Sequence, residues 1–316
     1  MRLVGIIAIA AAVIAGVTIS VIAALHFRGT ANRASVSSTP VIATLPAAPQ
    51  SYLGAYLPGV PDSYAGVSAF TRSIGVKPDL LAFYSGWLEP FSASFADAAA
   101  RQGAVPLVQI DPENVDLAAI ASGRYDRYLG SYAAAVRSYR LPVILSFGHE
   151  MNGSWYSWGY RHASPVNFVA AWRHIVSLFR TLGADNVTWL WTVNIIEKPG
   201  GIPSPAPWWP GSAYVTWVGI DGYYTKSSMT FAALFGPTIV TVRTLTRDPI
   251  LIAETGVAST AGQPGRIADL YAGIRTYGLL GFTWFDAIGK QDWRLTGPAA
   301  AAALRHGAAV YHGGGA

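Results

Sequence analysis

Two glutamates in this sequence stand directly after short apolar segments, where a side chain can be held at the end of a buried strand. Glu150 follows the segment Val143–Phe147, and Glu254 follows Ile250–Ala253. A lone glutamate most often caps a helix or pairs with an arginine, because it is seldom buried without a partner. Two carboxyl groups facing one bond can instead hydrolyse a glycosidic linkage, one supplying a proton and the other acting as nucleophile or base.

The residues around Glu150 are polar and aromatic, which indicates a sugar site. Aromatic faces beside a carboxylate suit a ligand that has both apolar and hydroxylated surfaces. A zinc-binding helix would need a second histidine four residues after His149, but Gly153 stands there. The acid of the pair needs a raised pKa, from burial or from the other carboxylate, and we expect His149 and Trp155 to contribute to it.

Eight apolar segments alternate with amphipathic ones, and this alternation predicts an α/β fold. The clearest helix is Asn167–Leu182, which repeats apolar residues at helical spacing before Gly183. The other predicted helices are Ser63–Ile74, Phe91–Gln102, Tyr125–Tyr139, Phe231–Leu245, Gly265–Tyr277 and Pro298–Arg305, whereas Lys198–Gly211 is a loop rich in Pro, Gly and Trp. The predicted strands are Tyr52–Leu57, Leu80–Tyr84, Val105–Ile110, Val143–Phe147, Val187–Val193, Trp217–Ile220, Ile250–Ala253 and Leu280–Phe285.

Eight such units predict an eight-fold (β/α) TIM barrel. A doubly wound sheet would need a glycine-rich phosphate turn after its first strand, and Gly54–Gly59 does not fit that pattern. In a barrel, functional residues lie at the carboxyl ends of the strands. Those ends supply Tyr56, Tyr84, Trp87, Asp111, Glu150, Asn194, Tyr223, Glu254, Trp284 and Asp286.

This predicted rim suits a neutral, polyhydroxylated ligand better than a phosphate, because it is rich in aromatics and carboxylates and has no cationic clamp. Tyr56 and Asp111 fit a barrel-capping role equally well. Tyr84, Trp87 and Asn194 are expected to contact substrate. Loops after the second, fourth and fifth strands would add an open row of tryptophans for consecutive sugar rings: Trp87, Trp155, Trp158, Trp208 and Trp209.

Composition excludes several classes of protein. The chain has 316 residues, of which 52% are apolar and 12% charged, and its net charge of +5 comes from scattered Lys and Arg. Without a basic run, a nucleic-acid partner is not expected. The absence of cysteine excludes thiol nucleophiles and thiolate metal sites, and no cofactor is expected. The apolar content predicts one large domain, residues 51–312.

The amino-terminal region is unlike the rest of the chain. Leu3–Leu25 carries no charge and is long enough to cross a hydrocarbon layer of roughly 30 Å. Residues 1–28 are therefore predicted to be a transmembrane signal anchor or, alternatively, a cleaved signal peptide. Residues 29–50, rich in Ser, Ala, Thr and Pro, are predicted to be a disordered linker. The expected location is the extracellular face of the cell membrane, or the medium after cleavage.

Taken together, the motifs resemble those of glycoside hydrolase family 26, which includes β-mannanases. The fourth-strand motif His-Glu-Met-Asn-Gly stands at 149–153, followed by Trp155, and the sixth-strand motif Asp-Gly-Tyr stands at 221–223. The seventh-strand glutamate is Glu254, and Trp284 fits the aromatic residue that ends the eighth strand.

The resemblance implies a retaining glycosidase acting on a β-linked polysaccharide. In that mechanism Glu150 would be the acid/base and Glu254 the nucleophile. Tyr223 would donate a hydrogen bond to the nucleophile. The subsite for the attacked sugar would be lined by His149, Trp155 and Trp284.

One departure leaves the substrate open. Many mannanases of this family have Arg-Pro shortly before the His-Glu pair, whereas this chain has Ser146, Phe147 and Gly148. The expected substrate is β-1,4-mannan, with mixed-linkage β-1,3-1,4-glucan and β-1,3-xylan as alternatives within the family. An alternative of another class is a catalytically inactive, membrane-tethered polysaccharide-binding protein.

Overall fold

The computed structural model describes residue 45, residues 52–197 and residues 201–312. The predicted anchor, residues 1–28, lies outside the described residues, as does nearly all of the predicted linker, 29–50. In the described part of the chain no helix has both the length and the apolarity to cross a membrane.

Eight parallel strands close into a barrel in which each strand pairs with the next along the chain. Closure comes from the pairing of the first and last strands, in register from Tyr52 opposite Gly281 to Tyr56 opposite Phe285. The predicted barrel is therefore confirmed. The strands are β1 (Tyr52–Tyr56), β2 (Leu80–Gly86), β3 (Val105–Asp111), β4 (Val143–Phe147), β5 (Val187–Asn194), β6 (Trp217–Asp221), β7 (Ile250–Thr255) and β8 (Gly281–Phe285).

Helices cover the outside of this barrel. The one between β4 and β5, α5, shows why they form where they do. Ser164 caps it by accepting a hydrogen bond from the Val166 N–H at 3.2 Å, Pro165 occupies its first turn, and Gly183 follows it at φ 72°. The described α-helices are α1 (Ala65–Ile74), α2 (Ala93–Arg101), α3 (Leu117–Ala121), α4 (Asp126–Tyr139), α5 (Pro165–Thr181), α6 (Phe231–Leu245), α7 (Gln263–Thr276) and α8 (Gly297–His312).

Two connections depart from a regular alternation of strand and helix. Between β3 and β4 lie two helices, and the shorter of them, α3, was not predicted because five residues are too few to show a helical period. Between β5 and β6 the described residues form only the single-turn 3-10 helices Ala206–Trp208 and Ser212–Tyr214. That agrees with the prediction of a loop there.

Apolar residues form two layers because side chains alternate across each strand. One layer fills the barrel interior, where Leu80, Leu107 and Leu190 are buried together. The other lies between the strands and the helices and includes Phe83, Trp172 and Phe282. The barrel is thus a filled core, and its carboxyl-terminal face is the surface on which polar residues of several strands can meet.

Candidate active site

Glu254 lies in β7, and both of its carboxyl oxygens accept hydrogen bonds from phenols. Tyr223, just after β6, donates to Oε2 at 2.6 Å, and Tyr84 of β2 donates to Oε1. Burial and the charge of Glu254 raise the pKa of both tyrosines well above the usual range, so they remain neutral donors. Two charge-assisted hydrogen bonds therefore orient one carboxylate.

Glu150 follows β4 on a backbone segment of unusual conformation. Gly148 has φ 55° and Glu150 has φ 53°, so a non-glycine residue occupies the left-handed region. Such a conformation costs about 1–3 kcal/mol and persists only where neighbouring groups enforce it. Here the Glu150 N–H donates to the Thr192 carbonyl at 2.9 Å, and the Trp158 indole donates to the His149 carbonyl at 2.8 Å. These contacts turn the Glu150 side chain towards the barrel mouth.

The Glu150 carboxyl also has two donors, but neither is a phenol. Asn194, at the end of β5, donates its amide N–H to Oε1, and the Trp155 indole donates to Oε2 at 2.7 Å. Burial and the charge of Glu254 raise the Glu150 pKa to about 7, while His149, Asn194 and Trp155 oppose that rise. The expectation that His149 and Trp155 help to raise this pKa is therefore wrong, because a cation and a hydrogen-bond donor favour the ionised form.

His149 is buried between a carboxylate and a neutral phenol hydroxyl. Its Nδ1 lies 2.9 Å from Asp111 Oδ1, and its Nε2 lies 3.1 Å from the Tyr156 hydroxyl. Burial alone would lower its pKa, but Asp111 and the charges of Glu254 and Glu150 outweigh burial and raise the pKa to about 9. His149 is therefore a cation at neutral pH, and it acts through its charge because only 1% of it is exposed.

The Asn152 side chain holds the loop after β4 against the backbone of β5. The Asn194 N–H donates to Asn152 Oδ1 at 2.9 Å, and Asn152 Nδ2 donates back to the Asn194 carbonyl at 2.9 Å. Because Asn194 also contacts Glu150, this reciprocal pair fixes the donor that faces the carboxyl group.

Asp221, at the end of β6, is a further buried carboxyl group. The sequence analysis identified it only as the first residue of the Asp-Gly-Tyr motif. It is fully buried and stands opposite Asn194 of β5 and Glu254 of β7 in the strand register. Neither carboxyl oxygen has a hydrogen-bond partner among the described residues. Burial, then Glu254 and Glu150, raise its pKa well above the usual range, and the Glu254 backbone offsets only part of this effect. The sequence could have predicted this residue, because β6 and β7 are neighbours in a barrel and their carboxyl ends carry Asp221 and Glu254.

The structure brings together most of the residues predicted for the site. Tyr56 and Asp111, left open by the sequence, both belong to it: Tyr56 packs edge-on against Tyr84, and Asp111 contacts His149. Two contacting residues were not among the predicted site residues. Tyr156, one of the aromatics near Glu150 in the sequence, contacts His149, and Phe285 stacks on Tyr56 at 4.6 Å.

Trp284 is not at the cleft surface. It is fully buried in the apolar layer between strands and helices. Successive strand residues face opposite sides, so the next residue, Phe285, takes the position beside Tyr56 that Trp284 was expected to fill.

The expected row of exposed tryptophans is also wrong in most of its members. Trp158 and Trp208 are buried. Trp209 is half-buried against Trp191, and Trp87 is half-buried against Tyr125, Tyr128 and Phe147, on the outer side of the barrel. Among the five, Trp155 alone is exposed, at 39%.

A lysine lies over the Trp155 ring, although no cationic residue was predicted at the rim. The Nζ atom of Lys290, in the loop after β8, lies 4.9 Å from the centre of the indole ring. Gly153 lies against the ring as well, because a Cβ added there would be 2.3–2.6 Å from three of its atoms. Loops from opposite sides of the barrel, after β4 and after β8, therefore meet at Trp155.

Comparisons with known proteins find a matching family model and several relatives. A model described as Glycosyl hydrolase family 26 matches residues 115–256, a range that contains both Glu150 and Glu254. Endoglucanase H of Acetivibrio thermocellus is 31% identical over 270 residues, which is 80% of this chain and 30% of that protein. The β-1,3-xylanase TXYA of Vibrio sp is 25% identical over 169 residues, 49% of this chain and 35% of that protein.

Solved structures show the same fold. A modular endo-β-1,4-mannanase from Cellulomonas fimi superposes with a TM-score of 0.64 and 17% identity, covering 83% of this chain and 70% of that one. The chain spans about a third of the length of the two curated relatives.

Proposed function

The chain belongs to glycosyl hydrolase family 26, and from this we propose that it is a retaining endo-β-glycosidase that hydrolyses a β-linked polysaccharide. The observation that carries the proposal is the pair of carboxyl groups in unlike surroundings. Glu254 accepts from two phenols, whereas Glu150 has a pKa raised to about 7 and keeps much of its proton near neutral pH. A retaining glycosidase needs one ionised and one protonated carboxyl group at the start of the reaction.

In the first step a Glu254 oxygen attacks the anomeric carbon. The bond from that carbon to the leaving sugar's oxygen breaks, and Glu150 transfers its proton to that oxygen. Tyr84 and Tyr223 hold Glu254 in the attacking orientation, since each binds one carboxyl oxygen. The products of the step are a covalent glycosyl ester on Glu254 and a free sugar hydroxyl.

In the second step the ionised Glu150 accepts a proton from water, and the water oxygen attacks the same carbon. The ester bond breaks, Glu254 becomes a carboxylate again, and Glu150 regains its proton. Because each step inverts the anomeric centre, the sugar is released with the β configuration it started with. His149 supports Glu150 in this step, because a nearby cation favours the ionised form.

Two candidate substrates are supported by different observations. The motifs around Glu150 and Glu254 favour β-1,4-mannan, the substrate that we propose first. A glucan is the second candidate, because Endoglucanase H aligns over 80% of this chain. The segment Ser146–Gly148, which departs from the pattern of many mannanases, is compatible with either.

A hydrolysis assay tests the proposal. The protein is incubated with galactomannan, lichenan, carboxymethylcellulose and β-1,3-xylan, and reducing ends are measured together with the first-formed anomer by proton NMR. We expect β-anomers first and the fastest release from mannan. Faster release of reducing ends from lichenan or carboxymethylcellulose would indicate that the substrate is a glucan and not mannan. An α-anomer appearing first would contradict the double displacement. No release from any polymer, together with retained binding, would favour the inactive binding protein.

The amino-terminal sequence supports a proposal about location as well. The uncharged segment Leu3–Leu25 would hold the enzyme at the outer face of the membrane, or direct its secretion if the segment is cleaved. Cell fractionation of the full chain beside a chain beginning near Gln50 separates these outcomes. Recovery of the full chain in the cytosol would contradict both.

A further inference from the structure

The loop after β8, residues 286–296, places a tryptophan against one of the two phenols that bind Glu254. The ring centre of Trp293 lies 4.6 Å from that of Tyr223, and the ring planes are inclined by 33°. Tyr223 is the phenol that donates to Glu254 Oε2 at 2.6 Å. A second ring, that of Phe285, meets Tyr223 edge-on at the longer distance of 6.0 Å. Trp293 is therefore the closer of two rings that limit where the Tyr223 hydroxyl points.

A glycine next to Glu254 lets both rings come close to the strand that carries this carboxylate. Gly256 directly follows β7 and is two residues from Glu254. A Cβ added at Gly256 would lie 3.0 Å from the Trp293 Cβ and 3.4 Å from the Tyr223 Cδ1, so a side chain there would press on both rings. The Gly256 carbonyl also accepts a hydrogen bond from the Tyr224 N–H at 3.0 Å. The end of β7 thus packs against Trp293 and fixes the backbone beside Tyr223.

Trp293 is itself held in place by hydrogen bonds of the residues on either side of it. The Asp292 carbonyl accepts a hydrogen bond from the Ser259 N–H at 3.0 Å, and the Arg294 carbonyl accepts one from the Gln263 side chain at 2.8 Å. Only 5% of Trp293 is exposed, so a sugar in the cleft meets little of the indole. Its contacts therefore place it to act on its aromatic neighbour and not on the substrate.

We propose that Trp293 is a positioning residue for Glu254 and that it acts through Tyr223. The inference rests on the proposed function, in which Glu254 is the nucleophile. The indole keeps the phenol ring in one orientation, so that its hydroxyl donates to Oε2 while the other oxygen attacks. Without the indole the ring has room to turn, and the charge-assisted hydrogen bond to Glu254 becomes longer and weaker. Small errors of placement are costly at a reacting centre, where a shift of about 1 Å can cost about a hundredfold in rate.

The first test measures the hydrogen bond of Tyr223 in the full chain without substrate. The carbon–oxygen stretching band of a phenol responds to the hydrogen bond that its hydroxyl donates. Infrared spectra are recorded with [ζ-¹³C]tyrosine incorporated, and subtracting the spectrum of the matching Tyr223→Phe protein isolates the band of Tyr223. We expect the band to shift in Trp293→Leu and to stay in place in Trp293→Phe, which keeps an aromatic ring against the phenol. An unshifted band in Trp293→Leu would overturn the proposal.

The second test is a double-mutant cycle in steady-state kinetics, on the polymer that the protein hydrolyses fastest. Trp293→Leu should lower kcat/KM about tenfold, mainly through kcat, which is roughly the smallest loss expected for a hydrogen bond to a charged group. In a Tyr223→Phe background the same replacement should cost less than about twofold, because no hydroxyl remains to be positioned. Trp293→Phe should retain most of the activity. An equal loss in both backgrounds would show that Trp293 does not act through Tyr223.

A matched control lies at the other end of the barrel. Trp217, at the start of β6, is 7% exposed, and its ring centre lies 5.7 Å from that of Tyr52 with the planes inclined by 36°. Trp217→Leu should lower the unfolding temperature as Trp293→Leu does but leave kcat/KM unchanged. A similar loss of activity in both variants would attribute the effect to lost core packing and overturn the proposal. Hydrolysis of no polymer at all would contradict the proposed function, and the infrared band would still decide whether Trp293 holds Tyr223.

Discussion

The two glutamates at the barrel mouth receive the same number of hydrogen bonds from different chemical groups. Glu254 is held by phenols from opposite sides of the barrel, in β2 and after β6. Glu150 is held by an amide and an indole, beside a buried histidine cation, on a backbone in the left-handed region. The neighbouring residues thus place two glutamates in different chemical environments.

The surroundings of two identical side chains can therefore give them different chemical properties. Burial beside another carboxylate favours the neutral form of a carboxyl group, and specific donors and cations oppose that effect. At Glu150 burial and Glu254 prevail over the opposing donors.

The largest effects should come from the carboxyl groups themselves. Glu254→Ala should reduce turnover by about a million-fold, as loss of a nucleophile does elsewhere. Glu150→Ala should cost about a hundred- to ten-thousand-fold on polysaccharide. It should nevertheless cleave an aryl glycoside whose leaving group needs no proton, and azide should restore turnover as a β-glycosyl azide.

Glu113→Ala, at an exposed glutamate, is the matched control and should be unaffected. Equal losses at Glu150 and Glu254 that azide does not restore would show that the two carboxyl groups do not divide the roles in this way.

Removing a phenol from Glu254 should have an intermediate effect. Tyr223→Phe and Tyr84→Phe each delete one hydrogen bond to a charged group, worth about 1.5–3 kcal/mol, so kcat/KM should fall about ten- to a hundred-fold. Steady-state kinetics on one soluble polymer measure it. Tyr160→Phe, which alters a phenol packed against Trp208 away from the glutamates, should have no effect. Losses below twofold at both phenols would mean that they do not orient Glu254.

A smaller effect is expected on the pH profile. Activity should decline above about pH 7, as Glu150 loses the proton that it must donate. Asp111→Asn removes the charge that keeps His149 protonated, and neutral His149 no longer lowers the Glu150 pKa. The alkaline decline of kcat/KM should therefore move to higher pH, by about one unit.

Asp62→Asn, at an exposed loop carboxylate, serves as the control. A shift of the alkaline decline towards lower pH in Asp111→Asn would refute the assignment of His149 as the cation that acts on Glu150.

The smallest effect concerns the indole that holds Glu150. Lys290 occupies one face of Trp155, so a sugar that stacks there must displace it. Lys290→Met keeps an aliphatic stem but removes a contact worth about 0.5–1 kcal/mol, so KM should fall about two- to fivefold with kcat unchanged. Lys226→Met, at another exposed lysine, is the control. A higher KM would instead identify Lys290 as a substrate contact.

The sequence predicted the barrel well because its strands are buried on both faces and form continuous apolar segments. All eight strands lie where they were predicted to within a few residues. The five residues of α3 were missed because they span little more than one turn, which leaves no period to detect.

The site was harder to predict than the fold because contacts depend on which way each side chain points. A shift of one position separates buried Trp284 from Phe285, which stacks on Tyr56, and composition cannot distinguish them. Trp158 looks like a sugar platform in sequence, yet it supports the His149 carbonyl from below the surface. Whether Trp155 raises or lowers the Glu150 pKa likewise depends on the direction of the indole N–H, which the sequence does not specify.

The two phenols on Glu254 also give the protein a built-in optical reporter. Under the proposed mechanism the covalent step turns that carboxylate into an ester, and Tyr84 and Tyr223 lose a charged acceptor at the same instant. The near-ultraviolet absorbance of a phenol responds to the charge of the group it donates to. Stopped-flow difference absorbance could therefore follow formation and decay of the intermediate on unlabelled polysaccharide, with Tyr84→Phe and Tyr223→Phe each removing part of the signal.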